Sequence, residues 1–184
     1  MAVKTFGSEI LTSGDVNTYL ANSGLVYVAG GSFTGATSFD VTGFSSAYTY
    51  YKLEFRAQRV DTTGGLLFYG QLYSGATART TTYYATAFFS SYLGTTGVGY
   101  TTNNGSSFMA GFADSGGYGI QSFDIQGMNS ASFTMTGNAW DSGSARQYTL
   151  GASHFVTETN DKIRMSVSTG TATGTWRLYG YREP

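Results

Sequence analysis

The chain contains no cysteine, which excludes disulfides, thiolate metal ligands and thiol nucleophiles. Proline occurs once, at the last position. Histidine also occurs once, as His154, so any histidine-based catalysis would have to use that residue. Charge is scarce as well. Only 11% of the residues are Asp, Glu, Lys or Arg, against about 25% in ordinary soluble proteins. The 10 basic and 11 acidic residues leave a net charge of −1 and form no cluster, so there is no electrostatic footprint for nucleic acid. No apolar run approaches the roughly 20 residues needed to span a bilayer as a helix. Residues 1–12 hold one lysine and no apolar core, which does not match a secretion signal.

What is present is glycine (26), tyrosine (15) and phenylalanine (13) in a chain of 184 residues. That length predicts one domain, or one domain with an arm, able to bury a core without covalent staples. With so few charges, the polar surface must be built from Ser, Thr, Asn and Tyr. Such a surface hydrogen-bonds without carrying charge.

One stretch steps like a helix. In residues 10–22, ILTSGDVNTYLAN, the side chains of Val16, Tyr19 and Leu20 fall at i, i+3 and i+4 and share a face. Thr12 and Ser13 are placed to accept from the free N–H groups of a first turn, and Asp15 suits the positive end of the helix dipole. Asn22, Ser23 and Gly24 supply a stop. Two to three turns are too short to persist alone in water, so the apolar stripe must dock on this chain, a sister chain or a larger assembly. The division expected is an arm and anchoring helix over residues 1–24, then a body over residues 25–184.

The body reads as about ten short strands. Tyr51, Leu53, Phe55 and Ala57 alternate with Lys52, Glu54, Arg56 and Gln58, the period of a strand with one wet face. The same alternation runs through Phe133 and Met135, through Ile163, Met165 and Val167, and through Trp176 and Leu178. The DTTGG turn over residues 61–65 predicts a hairpin between the strand around Leu53 and a second over residues 66–73. Residues 83–89, apolar on both faces, predict a central or covered strand. Residues 94–119 are glycine-rich, with strands expected around 98–102 and 107–112 and a hairpin turn at Asn103-Asn104-Gly105. An internal echo pairs SFDVTGF (residues 38–44) with SFDIQGM (residues 122–128). It predicts one strand-and-glycine-turn unit in each half of a two-sheet body, with Asp40 and Asp124 bonding the N–H groups of the turn that follows. The fold class expected is all-β, a jelly-roll-like β-sandwich with a short N-terminal arm and helix.

The usual catalytic signatures are missing. There is no G-x-S-x-G elbow, no H-E-x-x-H, no phosphate-binding loop and no complete G-x-G-x-x-G. Gly97-Val98-Gly99 reads as a bend in a strand. His154, beside Phe155 and Val156, reads as a packed residue. Asp61, Asp114, Asp141 and Asp161 neighbour turn residues and read as turn formers. A glycan-cleaving enzyme would require two carboxylates facing across a groove, within about 10 Å. Outward tyrosines beside Ser, Thr and Asn predict a rigid, amphipathic contact surface, or alternatively cross-strand pairs that only stabilise the sheet. Residues 61–65, 94–105 and 114–119 are the glycine-rich segments expected to form exposed contact loops.

The opening GSEILTSGDVNTYLANSGLVYV resembles that of small structural proteins of tailed bacteriophages. The resemblance rests on a motif close to L-T-x-x-D-V-N-x-Y-L, here Leu11, Thr12, Asp15, Val16, Asn17, Tyr19 and Leu20. It extends to Phe44-Ser45-Ser46-Ala47-Tyr48 leading into Tyr51-Lys52-Leu53, and to Gly174-Thr175-Trp176-Arg177-Leu178-Tyr179-Gly180. The resemblance implies a non-enzymatic virion component that assembles in the host cytoplasm without a cofactor. It would be a homo-oligomer, by analogy a trimer, anchored to other virion proteins through the seven motif residues. Two placements follow: a tail appendage or fibre contacting host surface polysaccharide, or a decoration protein clamped to the capsid. Neither nucleic acid nor membrane is an expected partner.

Overall fold

The computed structural model describes residues 24–60, 65–91, 94, 96–113, 117–129, 132–143 and 145–181. The helix expected over residues 10–22, with Leu11, Thr12, Asp15, Val16, Asn17, Tyr19 and Leu20, lies outside these residues. Among the described residues there is no helix. The chain forms β1 (Leu25–Ala36), β2 (Ser38–Thr42), β3 (Tyr50–Arg59), β4 (Leu66–Ser74), β5 (Thr77–Ala78), β6 (Tyr83–Ser91) and β7 (Thr96–Gly105). It continues through β8 (Phe108–Ala113), β9 (Tyr118–Gln126), β10 (Phe133–Asp141), β11 (Arg146–His154), β12 (Lys162–Val167) and β13 (Ala172–Tyr181).

These strands build two antiparallel sheets in a sandwich-like arrangement. The larger has eight strands in the order β1-β13-β3-β9-β10-β11-β6-β7. The smaller runs β2-β12-β4, with β5 and β8 both pairing the far edge of β4. The alternation legible in the sequence decides which side of each strand is buried. Tyr51, Leu53, Phe55 and Ala57 of β3 are buried, as are Trp176 and Leu178 of β13, Phe123 and Ile125 of β9, and Phe133 and Met135 of β10. The small sheet answers with Val41, Leu66, Phe68, Leu72, Ile163 and Met165. Aromatic rings bridge the layers: Phe55 and Phe68 meet edge-on with centroids 5.2 Å apart, a geometry favoured by the ring quadrupoles.

Two expected hairpins are corrected by the pairing. β3 lies in the large sheet between β13 and β9, whereas β4 belongs to the small sheet. The DTTGG segment therefore follows a strand of one layer and precedes a strand of the other. Likewise Asn103-Asn104-Gly105 ends β7, which pairs β6, while the next strand, β8, pairs β4. Both segments carry good turn chemistry, and turn chemistry alone does not say whether the returning strand pairs with its predecessor or crosses the core.

The echo has one copy in each layer: residues 38–42 form the edge of the small sheet and residues 122–126 lie inside the large one. Each copy ends at a glycine with positive φ, Gly43 at +102° and Gly127 at +78°, followed by a buried Phe44 or Met128. The aspartates do not bond the turns as expected. Asp40 accepts from Arg164 Nε and Nη2 across the β2–β12 pair at 2.7 and 3.0 Å, and Asp124 accepts from Tyr181 Oη at 2.7 Å. Both carboxylates bond across the sheet instead, Asp40 to the adjacent β12 and Asp124 past β3 to β13.

Residues 44–48, 51–53 and 174–180 meet in the fold. Tyr51 Oη donates to Ser45 O at 2.6 Å and accepts from Ser45 N at 2.8 Å. Leu53 stands opposite Leu178, and the Tyr48 ring lies so close over Gly180 that a Cβ there would come within 2.4 Å of it.

Candidate functional site

Because side chains alternate across a strand, the outer face of the eight-stranded sheet is fixed by the same parity that fills its core. β3 presents Tyr50, Lys52, Glu54 and Arg56 outward, and β9 presents Tyr118, Ile120, Ser122 and Asp124. β10 adds Thr134, Thr136, Asn138 and Trp140, β11 adds Gln147, Thr149 and Ser153, and β6 adds Tyr84, Thr86 and Phe88. Nine large apolar side chains are exposed among the described residues. Seven of them, Leu25, Tyr27, Tyr50, Phe88, Tyr118, Ile120 and Trp140, belong to this one face. Strand register sets six of them in two corners, Leu25, Tyr27 and Tyr50 on β1 and β3 and Tyr118, Ile120 and Trp140 on β9 and β10, with Phe88 apart on β6.

In the first corner Tyr27 and Tyr179 meet edge-on, with ring centroids 6.0 Å apart. Tyr181 donates to the Asp124 carboxylate beside them, and that bond, which holds the phenol proton, pushes Tyr181 up to about 12. In the second corner the Arg56 guanidinium sits 3.6 Å over the Tyr118 ring, a cation–π contact. There Ile120 stands opposite both Arg56 and Trp140.

Four open depressions are formed mainly by this face. One of about 640 Å³ is bordered by Tyr84, Thr86, Thr134, Thr136 and Ser153, and one of about 500 Å³ by Phe88, Ser90, Gln147 and Thr149. A third, of about 480 Å³, includes Asp124, Asn138 and Gly151. The fourth, of about 380 Å³, includes Glu54, Arg56, Ile120, Ser122 and Arg177. Among the described residues, Glu54 is the only carboxylate of the fourth and Asp124 the only one of the third; the other two hold none. The opposed pair that glycoside hydrolysis needs is not assembled in any of these four.

The remaining chemistry-bearing residues are structural in placement. His154 is buried against Tyr83, ring centroids 4.7 Å apart. Asp141 Oδ1 accepts from Gly143 N in the turn after β10, as the turn reading expects, whereas Asp161 Oδ2 accepts from Gly75 N in the β4–β5 turn, 86 positions away, and so ties a distant turn rather than its own. Asp61 and Asp114 lie outside the described residues. Among those residues no three His, Cys, Asp or Glu side chains come together as metal ligands, and no helix is long and apolar enough to cross a membrane.

The expected contact loops need revision. Residues 96–105 are strand β7, and 118–119 begin β9; 61–64 and 114–116 lie outside the described residues. Gly97-Val98-Gly99 is a bend within a strand, as read: register slips between Ala87–Tyr100 and Phe88–Val98, leaving Gly99 as the extra residue of a bulge. The sequence pattern placed Arg56 on the wet face of its strand but did not single out Trp140, Ile120 or Tyr118. A signal was present, because Trp140 shares the parity of Thr134, Thr136 and Asn138, and Ile120 that of Ser122 and Asp124. Large apolar side chains on an otherwise polar parity mark an exposed contact. No protein-family model, curated protein or solved structure matches the chain.

Proposed function

We propose that the protein is a non-enzymatic structural component of a bacteriophage virion, a tail-appendage or fibre subunit whose eight-stranded face meets the host surface. The observation that carries this reading is the gathering of seven of the nine exposed large apolar side chains on one open face among hydroxyl and amide groups. A rigid, weakly charged sheet face of that kind suits contact with a large surface better than turnover of a small substrate. The N-terminal motif supports the virion assignment through its resemblance.

The reading carries the finer architecture expected from the sequence, a jelly-roll-type body joined to other virion proteins by an amphipathic helix in residues 10–22. It also carries homotrimeric assembly, by analogy with phage appendages. Immunolabelling on intact particles tests it directly, with labelled tail tips expected. Purified protein should pellet with host cells; pelleting with empty capsids instead would replace the fibre reading with head decoration. Val16→Asp or Leu20→Asp should abolish incorporation into particles while circular dichroism of the sandwich is unchanged. Full incorporation of both variants would overturn the anchoring role.

A further inference from the structure

The chain has two tryptophans, and the fold treats them oppositely. Trp176 is 7% exposed, in the core, whereas Trp140 is 44% exposed on the outer face. Strand register places Ile120 on one side of Trp140 and Gln147 on the other. Arg56 then stands opposite Ile120, Thr175 opposite Arg56, and Ser90 opposite Gln147. The row Thr175–Arg56–Ile120–Trp140–Gln147–Ser90 thus crosses six strands and is about 24 Å long at roughly 4.8 Å per strand. The depression holding Glu54, Arg56, Ser122 and Arg177 lies on one side of Trp140, and that holding Ser90, Gln147 and Thr149 on the other.

The chemistry of this row discriminates among occupants. A stable protein partner favours a contiguous apolar centre. Here Asn138, Ser122, Gln147 and Thr149 neighbour Trp140, and the large apolar side chains beside it are Ile120 in register and Tyr118 on the diagonal, the Tyr118 ring being covered by Arg56. A nucleic acid requires unopposed cations; Arg177 faces Glu54 in register, and Arg56 is held over Tyr118. An exposed indole with neutral donors and acceptors on one side and a short apolar strip on the other matches a ligand with apolar C–H faces and a hydroxyl rim. We propose that Trp140 is the stacking platform of a site for a neutral glycan chain, with Asn138 and Gln147 bonding its hydroxyls and Ile120 and Arg56 extending the strip. This rests on the reading of the face as a host-contacting surface and names its ligand class.

The two-tryptophan arrangement supplies the assay. Maltohexaose, cellohexaose, chitohexaose and an array of purified bacterial surface polysaccharides are tested against the full chain. Tryptophan emission is followed for the oligosaccharides, and bound protein for the array. At least one glycan should bind saturably and blue-shift or quench the Trp140 emission, leaving the Trp176 component unmoved. Trp140→Ala should weaken that binding at least tenfold. Gln147→Ala, which keeps the indole, should weaken it several-fold and covers the case in which the tryptophan variant misfolds. No binding to any glycan, undiminished binding by both variants, or a change of oligomeric mass caused by Trp140→Ala would each overturn the proposal. Cell pelleting separates it from the broader reading. Binding that survives periodate oxidation of surface sugars but not protease treatment keeps host contact and rejects the glycan. Glycan binding without attachment to cells or particles keeps the site and rejects the virion role.

Discussion

Tyr83 and His154 show how single side chains seal the seam between the sheets. The Leu72 N–H of the small sheet donates to Tyr83 Oη of the large one at 2.8 Å, in a fully buried setting. Tyr83→Phe removes the acceptor and leaves that N–H unpaired. It should cost about 1–3 kcal/mol, the desolvation penalty of one orphaned buried group, measurable by urea denaturation. His154 packs on the same ring, and burial, aided by Arg79, holds it below the usual imidazole range against the opposing pull of Glu158. The folded chain therefore takes up the proton less readily than the unfolded one. This contribution to stability is complete above the unfolded value near pH 6.5 and is lost as pH falls below it. The urea midpoint should drop between pH 7.5 and 5.5, and His154→Phe, which keeps an aromatic against Tyr83, should shrink that drop.

At the scale of elements, the two echo units end in the same backbone conformation for a reason that mutation can read. Gly127 has φ +78°, and a Cβ there would lie 2.2 Å from Ser132 O. Gly35 has φ +55° with open space around it. Gly35→Ala should cost about 1 kcal/mol, the conformational term alone. Gly127→Ala should cost clearly more, because the backbone of the following strand must also move; thermal melts of the two variants separate these terms. The β2–β12 pair is clasped by Asp40 between Arg164 and Lys162. The Arg164 bond, more than any other cause, holds the Asp40 carboxyl below the ordinary carboxylate range. Its support is present above the unfolded value near 3.9 and is lost as pH falls through the lower folded value. Since the pair is partly exposed, Asp40→Asn at pH 7 should cost no more than about 1 kcal/mol.

The whole molecule is held by partners remote in sequence. The first and last strands, β1 and β13, pair along almost their full length, and β13 also bonds β3. Cutting the chain before Ala172 would strip both neighbours of their shared strand and expose the inner faces of Leu53 and Phe55. The truncated protein should be insoluble or lack a cooperative melt, as seen by sedimentation and circular dichroism. Long-range pairing of this kind also predicts refolding in milliseconds to seconds rather than microseconds. The large sheet ends in β1 and β7, and neither strand contains a charged residue. Edges without charges invite pairing with another chain, which agrees with the proposed oligomer.

Alternation with period two is a local property, because Cβ atoms must point to opposite sides of any strand. Residues 51–57, 133–136, 162–167 and 176–178 thus declared their buried faces, and the all-β class with them. Glycine ends such as Gly43 and Gly127, and the turn formed by Asp141, were legible for the same reason: they act within a few residues of themselves, whereas Asp40, Asp124 and Asp161 found partners remote in sequence. Pairing is different, since an exposed backbone edge accepts any strand brought to it. Whether the chain after Arg59 or Gly105 folded back on its neighbour or crossed to the other layer depended on which apolar faces could cover each other. Only the assembled sheets decided that, and with it that Tyr118, Ile120 and Trp140, up to 22 positions apart, stand side by side on one open face.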